Sequence, residues 1–301
     1  MKSEIPVLGL FLVGVAVLLI GVVALAVLSP LRLLNVLSNA REWSGHARSE
    51  GIAYGDHPRQ KLDVYRPTTP APDGGWPVVV FFYGGSWNRG ARGDYRFVGS
   101  ALAARGVLAL VADYRLYPDV RYPDFLHDAA RALAWGFDHA PRFGGDGDRV
   151  FVMGHSAGAY NAAMLALDER WLGGVGRSPR ALAGFIGLAG PYDFFPTENP
   201  DAQPVFFHPS YPPNAQPIEF PSPAAPRSFL AAPVRDDVVS PTRSTKSLAA
   251  ELEADGVAVT LRFYERASHA TLIGAFAWPL RFVAPVLEDV VAFIEAEEPP
   301  R

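Results

Sequence analysis

The sequence predicts an α/β fold, a mostly parallel central sheet with helices on both faces, preceded by an N-terminal transmembrane helix. Three observations carry this. Short, continuously apolar runs such as 77–82 (PVVVFF) alternate with stretches of helical period, the pattern of strands buried on both faces and joined by right-handed helical crossovers. Residues 5–28 contain no charge at all. The chain of 301 residues, 49% hydrophobic, leaves roughly 260 residues behind that segment, enough for one large domain.

At about 1.5 Å per residue, 5–28 reaches across a hydrocarbon core of about 30 Å. A cleaved signal peptide competes, with Lys2 as its positive start and Ala24-Leu25-Ala26 as a small-residue cleavage site. The run exceeds the usual apolar core of a signal peptide, which favours an uncleaved anchor over 1–29. Lys2 on one side against Arg32 and Arg41 on the other leaves orientation undecided by charge. The expectation is a membrane-anchored protein with its catalytic domain periplasmic or otherwise extracytoplasmic.

Residues 30–50 read as an amphipathic connector, with Leu31, Leu33, Leu34, Val36 and Leu37 at helical spacing. The domain proper is set at 51–301. Alternation over 60–65 suggests an edge strand, and 77–82 a buried one. A Gly-rich turn, a helix near 95–104, a strand at 107–112, a helix over 124–140 and a strand at 149–153 follow. The pattern continues with a helix from 157 to about 167 and a strand at 183–188. From 191 to 226 the chain is Pro-rich and aromatic with no regular period. A strand at 229–232, a helix over 241–254, a strand at 257–264 and a C-terminal helix over 271–295 complete it. No internal repeat is visible.

Composition excludes several functions. A net charge of -4 offers no footprint for nucleic acid. The absence of cysteine excludes disulfides, thiolate chemistry and cysteine-based zinc sites, and nothing points to a metal or any other cofactor.

Between the strand at 149–153 and the following helix stands Gly154-His155-Ser156-Ala157-Gly158. Acyl transfer needs a hydroxyl held out of a sheet on a sharp turn, with small neighbours that avoid backbone clashes, and G-x-S-x-G supplies that. Ser156 is therefore the candidate nucleophile. It needs a base and an orienting carboxylate, which follow this elbow in the order Ser, Asp or Glu, His. Of seven histidines only His208 and His269 lie downstream. His269, after a late strand and before the last helix, is the candidate base, while His155 is expected to point away from the serine and pack. Asp236 or Asp237, after the strand at 229–232, supplies the acid, with Asp193 a minor alternative. Backbone N–H groups of Ala157 and of the loop Gly84-Gly85-Ser86 form the candidate oxyanion hole. Trp87, Phe194 and Phe207 are read as substrate-binding, and Phe195, Phe206 and Tyr211 as further aromatics of a flap or acyl pocket.

Tyr83–Trp87, then Asp113-Tyr114-Arg115-Leu116, then the elbow resemble the esterase and lipase branch of the α/β-hydrolases, including hormone-sensitive-lipase-like carboxylesterases and arylformamidases. The similarity spans about residues 50–295. That family's acid motif, G-x-x-D-x-x-V-x-P, matches PVRDDVVSP at 233–241 from Asp236 onward, which selects Asp236. Tyr83 stands where the family has the His of His-Gly-Gly, and Pro233 replaces the Gly before the acid. The resemblance implies an α/β-hydrolase fold and cleavage of a small-molecule ester through a Ser-His-Asp triad and an acyl-enzyme, without a cofactor. An amide or formamide hydrolase, or an inactive membrane-tethered binding module, are the competing readings.

Overall fold

The computed structural model describes Phe11, Val15, residues 30–42 and residues 46–296. Apart from Phe11 and Val15, the segment 5–28 lies outside the described residues, and with it the transmembrane helix expected from the sequence. Among the described residues no helix is long and apolar enough to cross a membrane.

Eight strands form one sheet: β1 (His46–Ala53), β2 (Lys61–Pro67), β3 (Trp76–Phe82), β4 (Leu108–Ala112), β5 (Gly145–His155), β6 (Gly184–Leu188), β7 (Ser228–Pro233) and β8 (Val259–Tyr264). Their order is β1-β2-β4-β3-β5-β6-β7-β8. β2 runs antiparallel to β1 and β4, and all other pairings are parallel. Every residue of β3, β4, β6 and β7 is buried, which is why these strands read as unbroken apolar runs rather than alternating ones.

The helices are α1 (Pro30–Glu42), α2 (Arg96–Ala103), α3 (Asp124–His139), α4 (Ala157–Leu167), α5 (Glu169–Gly173), α6 (Ser247–Ala254), α7 (His269–Gly274) and α8 (Val286–Glu295). α1, α2 and α8 form one helical layer; α3, α4 and α5 form the other. α3 shows the logic: Phe125, Leu126, Ala129, Ala130, Leu133 and Phe137 recur every three or four residues and are buried.

Three elements differ from the sequence reading. Residues 60–65 are not at the sheet edge, because β1 covers β2 from outside and begins at His46, within the stretch read as connector. The predicted 271–295 helix is two helices, α7 and α8, separated by a tight turn at Trp278–Leu280. Pro279 and Pro285 lack the N–H that a continuous helix would use. The helix expected from 241 begins with a wider turn, Thr242–Lys246, before α6. Residues 191–226 hold only short turns, yet they are tied down: the Gln216 side-chain oxygen accepts from the backbone N–H of Phe194 and Phe195 at 2.7 Å each.

β3 places the site. Its chain leads to β4 on one side, and β5 then pairs with its other side, so the strand order reverses there. Crevices outside the C-terminal ends of strands at such a switch are where open α/β sheets bind ligands. The loops after β3 and β5 emerge side by side at that point, since Phe82 pairs with both Ala112 and Gly154.

Candidate active site

β5 ends at His155, and α4 begins at Ala157, so Ser156 alone makes the turn. It does so at φ 54° and ψ −124°, a strained conformation for a residue with a side chain. Hydrogen bonds hold it there: Ser156 N–H donates to Leu188 O at 2.9 Å, and its carbonyl accepts from Ala159 and Tyr160. The flanking glycines are required by space. A Cβ on Gly154 would stand 2.1 Å from Gly158 O, and one on Gly158 would stand 2.0 Å from Phe82 O.

His269 opens α7 directly after the cap Ser268, whose hydroxyl accepts from Thr271 N–H. Its Nε2 lies 2.8 Å from Ser156 Oγ, and its Nδ1 lies 2.8 Å from Asp236 Oδ2. The second carboxylate oxygen of Asp236 accepts from the N–H groups of Val238 and Val239 at 2.8 and 3.0 Å. Burial alone would raise this carboxyl. The hydrogen bond and charge of His269, with those two N–H groups, outweigh it and hold Asp236 below its ordinary value. A carboxylate can only accept, so Nδ1 carries the ring proton and Nε2 is free to take one from Ser156. Asp237 is exposed at the cleft rim. Asp193 is bound to Arg243 at 2.9 and 3.1 Å. Of the three candidate acids, the structure brings Asp236 to the histidine.

The loop after β3 lies against Ser156: a Cβ on Gly84 would meet Ser156 Cβ at 2.8 Å. Ser86 and Trp87 adopt φ of 48° and 56°, and Gly85 126°. Asn88 and Arg89 donate to Gly85 O. Ser86 and Ala157 line the cleft together with Ser156, and Ala157 opens α4, where the first N–H groups of a helix have no intrahelical acceptor.

Tyr83 anchors this loop from beneath. Its hydroxyl donates to Asp113 Oδ1 at 2.7 Å and accepts from Arg59 at 2.7 Å. Arg59 also reaches Gly90 O and Tyr114 O at 2.9 Å each, and Tyr114 donates to Tyr83 O at 2.7 Å. Arg92 pairs with both Asp113 and Asp63. Burial, and then the Asp113 carboxylate, push the Tyr83 phenol well above its ordinary value, so it remains a donor.

A cleft of about 620 Å³ opens over Ser156 and Ala157, bounded by Ser86, Trp87, Phe194 and Val238. Trp87 is buried, its indole N–H donating to Asn161 at 3.0 Å. Phe207 does not line the cleft. It takes the left-handed conformation at the end of a short turn, which points its ring outward beneath the Arg121 guanidinium at 5.3 Å. Its neighbour Phe206 packs inward instead, on Trp87 and Phe194.

Sequence reasoning missed several contributors. Asn161 lies on the same face of α4 as Ala157 but is an ordinary polar residue in the sequence. Asn199 donates to the Ser86 hydroxyl at 3.2 Å from a segment without period. His155 packs, as expected, but not idly: its Nε2 donates to His269 O at 2.9 Å. Burial, and then the charge of His269, lower His155 to about 3.

The sequence matches the family described as BD-FAE over residues 62–252. It is 36% identical over 148 residues to a probable isoprenylcysteine alpha-carbonyl methylesterase, ICMEL2, of Arabidopsis thaliana, covering 48% of this chain and 35% of that protein. It is 35% identical over 159 residues to esterase LipC of Mycobacterium tuberculosis, covering 50% and 38%. The match thus spans little more than a third of these relatives. Esterase B from Lactobacillus rhamnosis superposes with a TM-score of 0.67 over 90% of this chain and 96% of that one at 20% identity, a likeness of fold.

Proposed function

Because the chain belongs to the BD-FAE family and two 2.8 Å hydrogen bonds join Asp236, His269 and Ser156, we propose that it is a serine carboxylesterase working through an acyl-enzyme. Ser156 Oγ attacks the ester carbonyl as His269 Nε2 takes its proton. Negative charge developing on the carbonyl oxygen is received by the N–H groups of Gly85, Ser86 and Ala157, with the positive end of α4 behind Ala157. Collapse expels the alcohol, protonated by His269, and water repeats the sequence on the acyl-enzyme. Asp236 stays anionic throughout, holding the imidazole tautomer and stabilising the imidazolium.

Trp87 lines the cleft as a buried ring packed on Phe125, Tyr160 and Phe206. That supports short acyl groups over long ones. Residues 5–28 are read as a membrane anchor, on the strength of their uncharged apolar run.

A short fluorophosphonate probe and a chain-length series of p-nitrophenyl esters test this reading. Wild type should label and Ser156→Ala should not, with kcat/KM greatest for acetyl to butyryl esters. Wild type that neither labels nor turns over any ester would overturn it.

A further inference from the structure

Away from the cleft, four of the exposed apolar side chains of the described residues lie on two neighbouring elements. On α1, Val36 is 59% and Leu37 40% exposed; in the turn between α7 and α8, Trp278 is 43% and Phe282 70% exposed. The two elements touch, for Leu34 of α1 and Leu280 of the turn both close on Gly274.

α1 is apolar on the side where a surface helix is normally polar. At 3.6 residues per turn, Leu31, Leu34, Asn35 and Ser38 share the inward face, with Asn35 and Ser38 buried. Asn35 fastens that face by donating to Gly93 O and Asp94 O at 3.0 and 3.1 Å and accepting from Phe97 N–H at 3.0 Å. Leu33, Val36 and Leu37, at i, i+3 and i+4, form the opposite, outward face. A helix with both faces apolar does not belong in water. At 13 residues, about 20 Å long, it is too short to span a bilayer. It also begins at Pro30, two residues after the uncharged run 5–28 ends.

We propose that the outer face of α1 and the 278–282 turn rest on the lipid bilayer, α1 lying in the plane of the interface. The proposal rests on the reading of 5–28 as an anchor, and it adds which face of the hydrolase meets the membrane. Trp278 and Phe282 suit the headgroup boundary, where aromatic rings collect. The exposed Arg266 bonds the carbonyl of Phe282 and sets a guanidinium beside the patch, placed for lipid phosphates.

The chain has no cysteine, so Phe282→Cys and Val36→Cys each give a unique site for an environment-sensitive dye, with Arg131→Cys on α3, in the other helical layer, as control. The full chain is mixed with vesicles of phosphatidylcholine containing roughly a quarter phosphatidylglycerol, and flotation is followed by dye emission with lipid-borne quenchers. The expected result is co-flotation, with dyes at 36 and 282 blue-shifted and quenched and the dye at 131 unchanged. Co-flotation with dyes at 36 and 282 as water-exposed as at 131 overturns the face while leaving the anchor. Failure to float overturns both.

Discussion

Replacing Gly158 by alanine places a methyl group where a carbonyl already stands. The new Cβ would lie 2.0 Å from Phe82 O and 2.4 Å from Phe82 C, whereas real Cβ contacts stay beyond 3.0 Å. β3 and the start of α4 must therefore part by about 1 Å. Neither can yield cheaply. Phe82 ends a strand paired on both sides, and every residue of α4 is buried. The displacement falls on the elbow, between the Ser156 hydroxyl and the N–H groups of Gly85, Ser86 and Ala157. A shift of about 1 Å in a reacting geometry costs on the order of a hundredfold. Overpacking adds roughly 1–3 kcal/mol of destabilisation, or several degrees in Tm for a domain of this size. Steady-state hydrolysis of p-nitrophenyl acetate and a thermal melt read the two effects separately. Gly173→Ala is the control, since nothing lies within 4 Å of its Cβ position. Wild-type kcat/KM and Tm in Gly158→Ala would refute the argument that close backbone contact sets the elbow.

Two further outcomes follow from the relay and from His155. Asp236→Asn should lower kcat by roughly a thousandfold or more, and His269→Ala by about a thousandfold; a larger loss from Asp237→Asn would place the acid one residue on. His155, lowered to about 3 from an ordinary 6.5, takes up its proton only in the unfolded chain between those values. Its contribution to stability is complete above about pH 6.5 and is lost toward pH 3, by up to about 1.4 kcal/mol per pH unit. Asp236, held below its ordinary 3.8, contributes stability that is lost only as pH falls beneath that value. Between pH 6.5 and 4, Tm should therefore fall less steeply in His155→Gln than in wild type, and equal slopes would count against a neutral buried His155.

What could be read from the sequence depended on whether the information was local. β3, β4, β6 and β7 were legible because burial on both faces writes itself as an apolar run. β1 was not: His46–Ala53 is an edge strand with no fully buried residue and Ile52 as its sole large aliphatic residue, so no period marks it. The break between α7 and α8 was carried by Pro279 and Pro285, but apolar residues on either side kept the helical period running across them. In the site, Ser156, Asp236 and His269 each stood at a strand end in the required order. The contacts made by Asn161, Asn199, Arg59 and His155 join residues distant in the chain, and no spacing announces them. Phe206 and Phe207 are indistinguishable as letters; one turn of backbone sends the first inward and the second toward Arg121.

The fastening of α1 by Asn35 decides where the polypeptide can be shortened. A cut at His46, where the sheet begins, would look natural, but it strips Phe97 N–H and the carbonyls of Gly93 and Asp94 of their partner and bares the surface that Leu31 and Leu34 cover. The turn so loosened precedes α2 and contains Arg92, which braces Asp113 and, through it, Tyr83 under the loop beside Ser156. A shortened chain should therefore begin just before Pro30, which keeps the brace, and polar replacements at Leu33, Val36 and Leu37 would remove the apolar outer face of α1.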